Sequence, residues 1–142
     1  MKYSDLKLSI NNEIVTIMVN DEVEIEVRKY LPIEDKIDLI EVALQKAEEN
    51  GIYNEMKLAM YFALYIIYMY TNLEFTNEEN MNEYKLYNEL ESNGVITAVL
   101  GALEEYEILF HYLNIMKEAK MKYKTSAAAL MQTFIQDMPR NA

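Results

Sequence analysis

Between residues 19 and 44 the chain changes its hydrophobic period within a few residues. Glu22-Val23-Glu24-Ile25-Glu26-Val27-Arg28 alternates strictly, and after Lys29-Tyr30-Leu31-Pro32 the apolar positions recur at helical spacing. A half-buried strand and a core-facing helix joined this closely must share one hydrophobic layer. The junction therefore predicts an α+β domain in which an N-terminal antiparallel β-hairpin or three-stranded meander feeds a mainly α-helical body of about five to six helices. The chain has 142 residues, 51% of them hydrophobic, enough for one domain with its own core. The expected organisation of 1–142 is a β-meander over 1–31, a helical body over 32–125 and a C-terminal amphipathic helix over 126–142.

The meander is read from three alternating runs. Leu6, Leu8 and Ile10 alternate with Lys7 and Ser9, a second strand covers Ile14 to Val19, and the third carries Val23, Ile25 and Val27. Asn11-Asn12 and Asn20-Asp21 are the expected turns, because Asn and Asp tolerate positive φ. Glu22, Glu24 and Glu26 then face solvent. In the first helix, about Ile33 to Glu49, the apolar stripe is Ile33, Ile37, Ile40, Leu44 and Ala47, with Asn50-Gly51 as a C-terminal cap. A second helix from Glu55 to Thr71 is apolar nearly all round and belongs at the centre. The acidic stretch 72–82 reads as a surface loop. Helices are expected at about 83–92, 95–103 and 104–123, and the tail pattern runs from Ser126 to Met138.

Composition narrows the chemistry. The chain has no Cys or Trp, one His (His111) and three Gly, at positions 51, 94 and 101. A disulfide framework, a thiolate nucleophile and a Cys-based zinc site are thereby excluded. No GxGxxG, Walker-type loop or HExxH occurs. Met1-Lys2-Tyr3-Ser4-Asp5 lacks the basic and apolar blocks of a secretory leader, and Leu58 to Tyr70 is too short an apolar run to span a bilayer. We therefore expect a non-enzymatic protein that works without a cofactor or metal and without a membrane.

Charge is uneven. The formal net charge is −11, which disfavours direct binding to a nucleic-acid backbone and permits an acidic surface that competes for a basic partner. From Glu74 to Glu107 there are nine glutamates against Lys85 alone, whereas Lys117, Lys120, Lys122 and Lys124 cluster in the last long helix. Glu78, Glu79, Glu83 and Glu91 form the candidate acidic face and the four lysines a basic strip. Solvated helix faces account for this pattern, and so does head-to-tail association of copies.

Protein-interface candidates are Tyr61, Tyr65 and Tyr68, at i, i+4 and i+7 on the second helix, and Leu130, Phe134 and Ile135 in the tail. Tyrosine suits an interface because its ring can be buried while its hydroxyl stays wet. A plain core edge is the competing reading for the tyrosines. Glu104, Glu105 and Glu107 read as surface carboxylates, since adjacent helical residues point to different faces.

Three segments carry a resemblance: 27–40 (Val27 through Ile40), Tyr70-Thr71-Asn72-Leu73-Glu74-Phe75-Thr76, and 85–94 (Lys85 through Gly94). They resemble a family of small acidic proteins encoded by tailed bacteriophages and prophages of low-GC Gram-positive bacteria, associated with virion structure and assembly genes. The likeness covers the chain from about residue 20. It implies a virion structural or assembly protein, tail assembly chaperone-like or head–tail connecting. Its partners would be other virion proteins or copies of itself, in the host bacterial cytoplasm or the virion. The alternative is a phage-encoded inhibitor of a host defence system, an anti-CRISPR-like acidic mimic of nucleic acid. No site residue is carried over by the likeness.

Overall fold

The computed structural model describes the backbone of residues 1–137, with side chains through Tyr123 and at Met131. Lys124, Leu130, Phe134 and Ile135 therefore lie outside the described side chains.

The fold is α+β, with an N-terminal hairpin and a helical body. Strands β1 (Ile14–Val19) and β2 (Val23–Arg28) pair antiparallel, with Ile14 opposite Arg28 and Val19 opposite Val23. Asn20 and Asp21 make the turn at φ of 55° and 59°, the left-handed region that a tight hairpin turn needs. Val19, Ile25 and Val27 enter the core, while Glu22, Glu24 and Glu26 stay exposed as the alternation requires.

The expected third strand over Leu6 to Ile10 does not form. Tyr3–Leu6 is a single 3-10 turn, and Lys7 takes a left-handed backbone (φ 51°) that breaks the extended run. Asn11 then uses its side chain to accept the Glu13 N–H (2.8 Å) in place of a hairpin turn. Leu6, Leu8 and Ile10 are left exposed.

Helix α1 spans Ile33–Ala47, with Pro32 at its N-cap and Glu34 and Asp35 in its positive first turn. It ends earlier than the sequence suggests. Asn50 and Gly51, both at positive φ (52° and 83°), turn a second small hairpin between β3 (Glu48–Glu49) and β4 (Ile52–Tyr53). Asn54 caps α2 (Glu55–Tyr70) by accepting the Lys57 N–H at 3.0 Å. Short α3 (Asn77–Met81), capped by Thr76, occupies part of the expected loop, followed by α4 (Glu83–Ser92) and α5 (Val95–Ala102). Helix α6 runs unbroken over Tyr106–Asp137, merging the two helices expected at 104–123 and 126–138. Thr125-Ser126 is no breaker, and the alanines that follow are the strongest helix formers.

Helix α2 is central. Leu64, Ile66, Ile67 and Tyr70 are fully buried, the last three in one core with Leu39, Ile40, Leu44, Val99 and Leu109. Full burial of such side chains contributes about 1.5–3 kcal/mol each. The other edge of β2 is tied to the end of α2: Val27 bridges Thr71, Asn72 donates its N–H to the Glu26 carbonyl (3.3 Å), and its side chain accepts the Glu26 N–H (3.0 Å).

The buried stripe of α1 is rotated from the expected one. Lys36, Leu39, Ile40, Ala43, Leu44 and Ala47 are buried, while Ile33 and Ile37 are exposed. The rotation depends on a counter-charge. Lys36, 4% exposed, places its ammonium 2.5 Å from the Glu105 carboxylate and 4.3 Å from the centre of the Tyr30 ring. The same carboxylate accepts the Leu31 N–H (2.8 Å) and the Tyr70 hydroxyl (3.1 Å). Burial, and then the nearby Glu105 charge, push the Tyr70 phenol far above its ordinary value. Glu105, read from sequence as a surface group, is thus the acceptor for three donors at the start of α6.

Removing one partner of a buried pair leaves an uncompensated charge, at a cost of about 3–5 kcal/mol. Glu105→Ala should therefore lower the unfolding free energy by about that amount in urea titrations. Glu104→Ala, which removes an exposed carboxylate 3.9 Å from Lys29, should change it by less than about 1 kcal/mol. Equal effects would remove the hub from the account. In the hairpin, Ile25→Asp should be far more destabilising than Glu24→Lys, since only the former buries an unpaired charge.

Candidate functional site

Rotation of α1 leaves a groove between α1 and α6. Near their starts Lys36 meets Glu105, and farther along Gln45 and Glu48 face Lys120 and Tyr123, so the two helices run in the same direction. The upper part, about 390 Å³, is walled by Ile33, Ile37, Ile40, Tyr112, Ile115 and the stem of Lys36. Its apolar rim is open: Ile33 is 47% exposed, Ile37 41% and Ile115 51%. Met116 and Ala119 continue into a lower part of about 560 Å³ where Glu41, Gln45 and Glu48 face Lys120. One trough thus changes from apolar to charged along the length of α1, about 22 Å at 1.5 Å per residue.

Of the described residues singled out from sequence, all but Lys120 fall elsewhere. Tyr61, Tyr65 and Tyr68 are half-buried where α4 meets α1 and α2. Tyr65 donates to Glu83 (3.1 Å), Glu83 pairs with Lys46, and the Lys46 ammonium lies 5.6 Å and 5.5 Å from the Tyr61 and Tyr65 ring centres. Desolvation lowers the affinity of Lys46 for its proton, but bonds to Glu83 and Tyr65 outweigh it and hold the ammonium well above its ordinary range. Tyr68 packs edge-on against Tyr65 and Phe75, with centroids 5.0 Å and 5.1 Å away. Its hydroxyl is buried with no hydrogen-bond partner among the described residues.

The acidic face divides. Glu78, Glu79 and Glu91 are exposed on α3 and α4, whereas Glu83 is half-buried in the Lys46 pair. The basic strip divides too. Lys117 pairs with Glu55 at 3.3 Å, Lys120 lines the trough, and Lys122 is exposed. His111 is exposed on α6.

Among the described residues no group of three or more His, Asp or Glu is placed to hold a metal ion, and no helix is long and apolar enough to cross a membrane. Sequence reasoning missed the trough because it put Ile33 and Ile37 on the core stripe. The available signal was Leu39 and Ala43, apolar positions off that stripe that turn the buried face toward Lys36.

Burial pushes the Tyr68 phenol up to about 12, with the Glu83 charge adding to the effect. An unfolded tyrosine ionises near 10, so between those values the folded chain keeps a proton that the unfolded chain has lost. Stability from this group is therefore complete below about pH 10 and falls as pH rises toward 12. Tyr68→Phe should keep the ring contacts, raise stability at neutral pH by about 1 kcal/mol, and flatten part of the alkaline decline in pH-dependent melts. A large loss at neutral pH would show that the hydroxyl has a partner. Comparison of the chain with protein-family models, curated proteins and solved structures finds no match.

Proposed function

We propose that this chain is a non-enzymatic bacteriophage virion structural or assembly protein, tail assembly chaperone-like or head–tail connecting, which acts by binding other virion proteins. The observation that carries the reading is the trough between α1 and α6. An amphipathic helix of a virion partner fits it: the apolar stripe would lie over Ile33, Ile37 and Ile115, and flanking charges would meet Glu41 and Lys120. Such a helix needs about four turns to follow α1, and apolar anchors in a concave, water-excluding site are where binding energy concentrates. The resemblance of 27–40, 70–76 and 85–94 to small acidic phage and prophage proteins associated with virion structure and assembly genes supports the same class. The site of action would be the host bacterial cytoplasm or the virion.

The alternative, an acidic mimic that inhibits a defence nuclease, draws on the exposed carboxylates of Glu78, Glu79 and Glu91. Glu83 is already engaged by Lys46, which leaves that face with less free charge than the sequence suggests.

Pull-downs from phage-infected cells should recover head or tail proteins with the wild-type chain. Ile37→Asp combined with Ile115→Asp should abolish recovery without lowering the thermal midpoint, because both side chains are exposed. Each anchor lost should cost about 2 kcal/mol or more of binding. Charge reversal of Glu78, Glu79 and Glu91 should leave recovery intact. Recovery of a defence nuclease, abolished by those reversals, would establish the alternative.

A further inference from the structure

The outer main-chain edge of β2 is hydrogen-bonded, whereas that of β1, a strand that packs against α5, is not. Lys29 donates its N–H to the Glu13 carbonyl (3.0 Å), and on the far side of β2 Asn72 donates to Glu26 (3.3 Å). The alternation of an antiparallel ladder then turns the main-chain groups of Val15, Ile17 and Val19 toward β2 and those of Ile14, Thr16 and Met18 outward. Among the described residues, nothing bonds to that outward row. An open edge of this kind is a template for another strand.

The chain carries a segment with the matching pattern. Leu6, Leu8 and Ile10 alternate with Lys7 and Ser9, yet all five are exposed, with Leu8 at 65% and Ile10 at 60%. Within the chain this arm is directed away from β1: Leu8, Ser9, Ile10 and Asn11 lie beside Tyr3 and Tyr30, at the end of β2. The Asn11 side chain, bonded to the Glu13 N–H, holds that direction.

We propose that the arm pairs with the β1 edge of a second copy of this chain, reciprocally, so that each hairpin becomes a three-stranded sheet completed by its partner. Placing Leu8 beside Ile17 puts Leu6 beside Val19 and Ile10 beside Val15. The arm's apolar side chains then extend the helix-facing layer, where Val15 and Ile17 are only half-buried. In the same register Ser9 meets Thr16 and Lys7 meets Met18, using the outward main-chain groups. Lys7 then lies in line with Glu24, which is opposite Met18 on β2.

Charge favours this occupant. Residues 1–12 carry Lys2 and Lys7 against Asp5, whereas the hairpin, from Glu13 to Lys29, carries Glu13, Asp21, Glu22, Glu24 and Glu26 against Arg28 and Lys29. Pairing also returns Lys7 from a left-handed to an extended backbone, which a residue with a side chain prefers. Exchange of an identical segment about a two-fold axis satisfies both copies at once.

The native chain has no cysteine, so introduced thiols report cleanly. A mixture of Ser9→Cys chains and Thr16→Cys chains, oxidised under native conditions, should give a disulfide-linked species of twice the chain mass. Neither variant alone should give it. Adding Leu8→Asp and Ile10→Asp to both chains should reduce the yield to background while the helical circular-dichroism signal is kept, since those side chains are exposed in the single chain, and the melting midpoint should lose its dependence on chain concentration. Sedimentation should show a dimer that the same aspartates convert to monomer. Closure of the bond within one chain of a Ser9→Cys/Thr16→Cys variant would overturn the proposal in favour of an intramolecular meander. A wild-type monomer with no cross-link in the mixture would overturn it outright.

Discussion

The Glu105 carboxylate organises this fold. It receives the Leu31 N–H from the strand-to-helix junction, the Lys36 ammonium from α1 and the Tyr70 hydroxyl from the end of α2. Each of those donors is buried and would be costly without an acceptor. The hydrogen-bond ladder of the first hairpin ends at Lys29, so the Leu31 N–H has no strand to bond to. Pro32 follows and opens α1. One side chain from a residue 74 positions away thus completes the junction that most strongly marks the fold in the sequence.

Electrostatics at the hub extend beyond the pair. Helices α1 and α6 start close together and run in the same direction, so their positive ends converge, an arrangement that by itself is repulsive. An anion between the two starts offsets that repulsion, and the C-terminal end of α2, the negative pole of a third helix, arrives at the same place. Lys46, in the last turn of α1, sits at the opposite pole. The trough follows from this geometry, because burying Lys36 turns Ile33 and Ile37 away from the core.

Local features were legible in the sequence. The Val23-Ile25-Val27 alternation, the Asn20-Asp21 turn, the Asn54 cap and the apolar α2 all correspond to the structure, because each is decided by a few neighbouring residues. The misses share a long-range cause. Leu6 to Ile10 has a strand pattern but no strand beside it within the chain, and no local signal reports that. Asn50-Gly51 suits a helix cap and a hairpin turn equally well, and the pairing of Glu48 with Tyr53 decides between them. Lys36 reads as a solvated charge until Glu105 is placed next to it. The trough, which depends on that contact, was hidden for the same reason. Tyr61, Tyr65 and Tyr68 follow one another at helical spacing, but the Lys46–Glu83 pair beside Tyr61 and Tyr65 joins residues 37 apart.

The sequence separations at the hub also order events in time. Synthesis proceeds from the N-terminus, and domains assemble as their contacts become available. The first hairpin and α1 leave the ribosome long before residue 105, so for that interval Leu31 and Lys36 have nothing to bond with except water. Closing a loop of that length adds little free energy beyond a loop half as long, but it cannot occur until the acceptor exists. A nascent chain ending before Glu105 would bury a bare ammonium if it collapsed on α2, and it is better kept open. The native arrangement of the Leu31 N–H and the Lys36 ammonium therefore requires that the start of α6 has already been made.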